Sequence, residues 1–132
     1  MNLGLIGAAQ VARKRAYCPY SGYAVGAAVL GPDGRVWAGC NVENVSFGLT
    51  LCAERAAVVK MVSDGVREVC GVAVATRDGG APCGACLQVL SEFASDPSSV
   101  RVRLVDESGS VTARTLAEYL PYGFRSDLGF GR

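Results

Sequence analysis

Two short segments constrain this chain more than any other feature: Cys52-Ala53-Glu54 and Pro82-Cys83-Gly84-Ala85-Cys86, each at the start of a predicted helix. Helix starts present unpaired N–H groups and partial positive charge, which favour thiolate over thiol and so favour metal binding at neutral pH. Cys52, Cys83 and Cys86 are therefore read as ligands of one Zn2+ ion. A structural zinc site closes its shell with a fourth protein ligand, whereas three leave a position for water, the arrangement of a catalytic site. Residues two apart in mid-helix point about 200° apart, so Glu54 can serve that water only if Cys52 sits in the first turn and reaches across the helix end. Three thiolates also give the ion a negative shell; Arg55 is the nearby positive charge and a hydrogen-bond donor to thiolate sulfur.

The rest of the composition narrows the chemistry further. A chain of 132 residues, half of them apolar, suits a single domain over 1–132 with one core. Thirteen basic against twelve acidic residues leave a formal charge of +1 with no basic run, which argues against a nucleic acid polymer as partner. Met1 to Gln10 lacks the pattern of an export leader, and no apolar stretch approaches the ~20 residues of a membrane span, so the expectation is a soluble, cytoplasmic protein. Without an export signal, six cysteines read as thiols or metal ligands more readily than as disulfides. Histidine is absent, which removes Ser-His and Cys-His mechanisms and leaves proton transfer to carboxylates, tyrosine, lysine or metal-bound water.

Leu3, Ile6, Ala9 and Arg13 predict an opening helix that ends at Cys18-Pro19. Tyr23 to Leu30, the turn Gly31-Pro32-Asp33-Gly34 and Arg35 to Cys40 predict a hairpin. Thr50 is the predicted cap of a helix over Cys52 to Val62, closed by Asp64-Gly65. Val69 to Thr76 reads as a buried strand, and Pro82 suits the first position of a helix over Cys83 to Phe93. Val100 to Val105 alternates as a half-exposed strand, Ser110 to Thr112 is a short strand, and Thr115 to Leu120 a last helix. The sum is a mixed sheet with helices packed on its faces.

Cys-x-Glu followed at a distance by Pro-Cys-x-x-Cys is the three-cysteine form of the zinc deaminase signature. With Tyr20-Ser21, Gly26-Ala27-Ala28, Asn41-Val42-Glu43-Asn44, Gly48-Leu49-Thr50 and Arg55 in order along most of the chain, the sequence resembles the small, homotetrameric type of zinc-dependent cytidine deaminase. The resemblance implies a three-layer α/β/α sandwich on a mixed sheet of about five strands. It implies hydrolytic deamination of cytidine and 2′-deoxycytidine to uridine and 2′-deoxyuridine in pyrimidine salvage, with zinc-bound hydroxide attacking C4 and Glu54 shuttling protons. Carried over by position, Asn41 and Glu43 would bind the ribose hydroxyls, the Ala53 backbone and Tyr23 would meet the base, and Phe47 and Phe124 would help close a neighbouring subunit's pocket.

Two departures stand out. The family commonly reads Cys-Arg-Gln where this chain has Cys86-Leu87-Gln88, and Phe-Gly-Pro where it has Phe124-Arg125-Ser126. They leave open a rival substrate, a modified cytosine nucleoside such as a blasticidin-type antibiotic. A non-catalytic zinc module predicts a fourth cysteine at the site, for which Cys70 is available, and a redox protein would use Cys83 and Cys86 as a dithiol.

Overall fold

Which face each strand residue serves decides the layers. In the computed structural model, which describes residues 3–126, the elements run α1 (Leu3–Arg13), β1 (Gly26–Leu30), β2 (Val36–Cys40), a single 3-10 turn (Phe47–Leu49), α2 (Ala53–Ser63), β3 (Gly71–Ala75), α3 (Gly84–Glu92), a second 3-10 turn (Pro97–Ser99), β4 (Arg101–Val105), β5 (Val111–Thr115) and α4 (Leu116–Tyr119). Successive side chains of a strand point to opposite faces. Ala28, Ala73, Ala75 and Val105 accordingly meet Leu5 and Ala9 of α1. Ala27, Val29, Val72, Val74, Val102 and Leu104 face the other way, onto Ala57, Val58 and Met61 of α2 and Leu87 and Leu90 of α3. The result is an α/β/α sandwich on one five-stranded sheet of order β2-β1-β3-β4-β5. Only β3 and β4 are parallel; the other neighbours are antiparallel.

Two glycines let helices of opposite layers come close. A Cβ at Gly26 would lie 2.0 Å from the carbonyl oxygen of Ala9, and one at Gly39 would lie 2.7 Å from Ala56 Cβ and 2.8 Å from Ala57 N. A side chain at either position would push α1 or α2 off the sheet.

Several predicted boundaries move, each for a tertiary reason. The first helix ends at Arg13, not at Cys18-Pro19, because Tyr17 is drawn into backbone bonding with the segment after β2: its N–H donates to Asn41 O at 2.9 Å and its carbonyl accepts from Glu43 N at 2.8 Å. The first strand begins at Gly26 and not at Tyr23, since the buried Asn41 amide claims that backbone, accepting from Val25 N at 2.9 Å and donating to Tyr23 O at 2.8 Å. Thr50 does not cap α2 but ends the 3-10 turn, and Pro82 precedes the helix start without entering it. The cysteines themselves take the cap positions. The last helix keeps its start through a capping box, Thr115 accepting from Glu118 N and Glu118 from Thr115 N. Among the described residues no helix is long and apolar enough to cross a membrane.

Candidate metal centre

Both α2 and α3 begin with a cysteine in the N-cap position and in extended geometry, Cys52 at φ −73° and ψ 152°, Cys83 at φ −70° and ψ 166°. An N-cap side chain ordinarily folds back to accept from the helix's own N–H groups. Neither cysteine makes that bond, so each sulfur is free to point away from its helix. One turn on, the third helical residue lies beside the cap. In α3 that residue is Cys86, whose Sγ stands 3.5 Å from Cys83 Sγ, and in α2 it is Arg55, whose Nη2 donates to Cys52 Sγ at 3.3 Å. The same local geometry used twice supplies a pair of ligands from one helix and a ligand with its charge partner from the other.

The Sγ atoms of Cys52, Cys83 and Cys86 all lie within 4.8 Å of one another. Thiolates around one tetrahedral zinc ion at about 2.3 Å stand roughly 3.8 Å apart, so a small contraction suffices and the soft donor set fits Zn2+. The protons of the cluster are already shared unequally. A hydrogen bond from Cys86, helped by Arg55, pulls the Cys52 thiol down to about 5. Donating that bond, together with burial, pushes Cys86 up. Among the described residues this is the only such group, and Cys70 is not in it: it precedes β3 at the end away from the site, its N–H donating to Leu30 O at 2.7 Å. The fourth cysteine that a closed structural site would need is therefore elsewhere.

With Cys52 as the N-cap of α2, at the very start of the helix and not in its middle, Glu54 is the second helical residue and is 4 % exposed. Burial, opposed by a backbone hydrogen bond, raises its pKa. It shares one cleft of about 290 Å3 with Cys52, Ala53, Cys83 and Cys86. Tyr23, Asn41 and Glu43 also line this cleft, as do Ser21, of the Tyr20-Ser21 motif, and Thr76 and Gly80, which sequence reasoning passed over.

The polar wall is preformed. The Glu43 carboxylate accepts from Tyr20 N at 2.9 Å, from Ser21 N at 3.1 Å and from the Ser21 hydroxyl, and these bonds, that of the Ser21 side chain first, hold its carboxyl below the usual range. Asn41 is buried and spends its amide oxygen and one N–H on the backbone of 23–25. Tyr20-Ser21 was legible as a motif, but its grip on Glu43 was not.

Phe47 and Phe124 lie outside the cleft. Phe47 is 73 % exposed and packs edge-on against Tyr20 at 5.7 Å, and Phe124 is 80 % exposed. Gln88 holds the backbone of Phe124 in both directions, Nε2 to its carbonyl at 2.8 Å and Oε1 from its N–H at 3.0 Å. Arg125 donates to Ser91 O and Ala94 O, both at 2.9 Å, closing the end of α3. The two departures from the family pattern thus have structural uses: Arg125 ties down the tail, and Leu87 is buried in the main core, away from the cleft lining.

The description "Cytidine and deoxycytidylate deaminase zinc-binding region" fits residues 4–101 as a family model. The chain is 44 % identical to a cytidine deaminase of Sporosarcina psychrophila, over 96 % of this chain and 93 % of that protein. It is 46 % identical to one of Mycobacterium tuberculosis, over 93 % and 89 %. The crystal structure of cytidine deaminase from Burkholderia pseudomallei superposes with a TM-score of 0.87 at 42 % identity, over 94 % of this chain and 99 % of that one. With the family model matched over residues 4–101 and relatives 44 % and 46 % identical along nearly the whole chain, this chain belongs to the cytidine and deoxycytidylate deaminase family.

Proposed function

We propose that this protein is a zinc-dependent hydrolase that converts cytidine and 2′-deoxycytidine, with water, into uridine or 2′-deoxyuridine and ammonia, as a step of pyrimidine salvage. The observation that carries the reading is the convergence of three thiols and one buried carboxyl in a single cleft. Cys52, Cys83 and Cys86 hold the ion, and Zn2+ bound there supplies Lewis-acid activation of the attacking water. Arg55 offsets the negative charge of the thiolates through its bond to Cys52.

Glu54 carries the protons. Its carboxylate takes one from the water as the oxygen adds to C4 and passes it to N3, then takes the second from the new C4 hydroxyl and delivers it to the amine as the bond from C4 to that nitrogen breaks. A raised pKa suits a group that must both accept and donate near neutrality, and water exclusion around a 4 % exposed carboxyl keeps the transfer direct. The Ala53 backbone and Tyr23 hold the base, and Asn41 and Glu43 hold the ribose hydroxyls. Glu43 stays ionised at neutral pH and keeps lone pairs to accept from a hydroxyl. Phe47 and Phe124, exposed on their own chain, complete the pocket of a neighbouring subunit in a homotetramer. The whole of 1–132 acts as one deaminase domain, working in the cytoplasm.

The test is ultraviolet absorbance of the zinc-loaded protein with cytidine or deoxycytidine, with Glu54→Ala in parallel. Conversion by the original chain and not by the variant supports the reading. One zinc per chain without conversion of either nucleoside defeats it and turns attention to modified cytosine nucleosides.

A further inference from the structure

Tyr23 precedes β1 along one wall of the cleft, and Asp78 lies on the turn that leads from β3 towards Cys83. The tyrosine hydroxyl donates to Asp78 Oδ1 at 2.6 Å. The turn is built around that carboxylate. Thr76, buried at the end of β3, donates to Asp78 Oδ1 at 3.3 Å and accepts from Gly79 N at 2.8 Å and Gly80 N at 3.0 Å. Gly80 N also reaches Asp78 Oδ1 at 3.2 Å. The tyrosine ring is held a second time, with the Arg77 guanidinium 5.0 Å from its centroid, within cation–π range. A Cβ at Gly80 would come within 2.9 Å of the Tyr23 hydroxyl, so the closeness of the two walls depends on a residue without a side chain.

We propose that Tyr23 and Asp78 form a positioning pair that fixes two walls of the cleft against each other: the hydroxyl bond keeps the Tyr23 ring set for a planar base and keeps the 76–80 turn, which runs into Ala81 and Cys83, in register with it. The proposal rests on the reading of the cleft as a nucleoside site. It assigns the hydroxyl a function that an aromatic ring alone would not have. Neither residue touches the reacting atoms, so the effect falls on binding: a loosened wall must be ordered again each time a base enters.

The experiment compares the zinc-loaded full chain with Tyr23→Phe, Asp78→Ala, the double variant and Asp78→Asn, by amide hydrogen exchange over 77–81 and by KM and kcat for cytidine. One hydrogen bond corresponds to roughly three- to tenfold. Tyr23→Phe should speed exchange in the turn and raise KM by about that factor, with kcat within about twofold of the original. Asp78→Ala should do at least as much, and the double variant no more than Asp78→Ala. Asp78→Asn retains a carbonyl acceptor for both the hydroxyl and Gly80 N and should stay close to the original. Unchanged exchange in Tyr23→Phe, or effects of the two single variants that simply add, would overturn the pair. If the original chain converts no cytidine, the nucleoside reading fails by itself while hydrogen exchange still decides whether the pair holds the turn.

Discussion

The floor and the rim of the cleft are built on opposite terms. At the floor, Cys52, Ala53, Glu54, Cys83 and Cys86 come from two helix starts locked into the core, and Ala53, Glu54 and Cys86 are buried within one chain. At the rim, on the loop between the lining residues Glu43 and Thr50, Val45, Phe47 and Leu49 are large, apolar and exposed. Clustered exposed apolar side chains of this size mark surfaces that meet another molecule. The floor is buried within one chain, and the rim leaves its apolar side chains exposed. Groups that must be fixed in place sit where packing is dense, whereas the rim is left exposed on this chain.

That contrast can be broken from the floor outward. Cys86→Ala removes a buried ligand, and the expected result is loss of stoichiometric zinc and of measurable turnover, checked by metal analysis together with the absorbance assay. Retention of one tightly bound zinc would mean that the floor is not the metal centre.

Acid should act on the same atoms. Zinc must displace protons from the thiols, so its affinity falls as pH falls. Cys86, whose thiol is pushed up, loses a proton on binding across the neutral range, and below about pH 5 Cys52 adds one more to the cluster's count. A competition titration against a chromogenic chelator between pH 4.5 and 7.5, values chosen as roughly bracketing that change, should show a steeper loss at its acid end.

Arg55→Gln tests the helper of the floor. Removing its charge from Cys52 should weaken zinc by about 10- to 100-fold while leaving the fold intact, read by the same titration and by circular dichroism. Phe47→Ala should be the mildest change. Its side chain is mostly exposed, so the thermal midpoint of the separated chain should move by no more than a few degrees, roughly what a surface substitution gives. Sizing chromatography should nonetheless show weaker association if the rim is an interface, and no change would remove the distinction drawn between rim and ordinary surface.

The pairs Cys83–Cys86 and Cys52–Arg55 were legible because their arrangement is local. Spacing of one turn within a helix start determines that Cys83 meets Cys86 and that Cys52 meets Arg55 wherever the helices are placed. The hairpin and the elements β3, α3 and β4 were legible for a similar reason, since turn residues and apolar runs carry them, although the parallel pairing of β3 with β4 was not. The ends of α1 and β1 were not, because the competition that trims them comes from Asn41 and Glu43, far along the chain.

By itself, then, the sequence determined which atoms can bind a metal and move a proton, since those depend on residue type and on bonds within a single turn. Only the tertiary structure decided that Glu43 is gripped by Ser21, that Tyr23 reaches Asp78 across 55 positions of chain, and that Gln88 and Arg125 clip the tail onto α3. A hydrogen bond between distant residues leaves no periodic trace in either segment. Its geometry exists only once the layers are packed, which is also why Leu87, in sequence only a departure from the family pattern, proves to be part of the core.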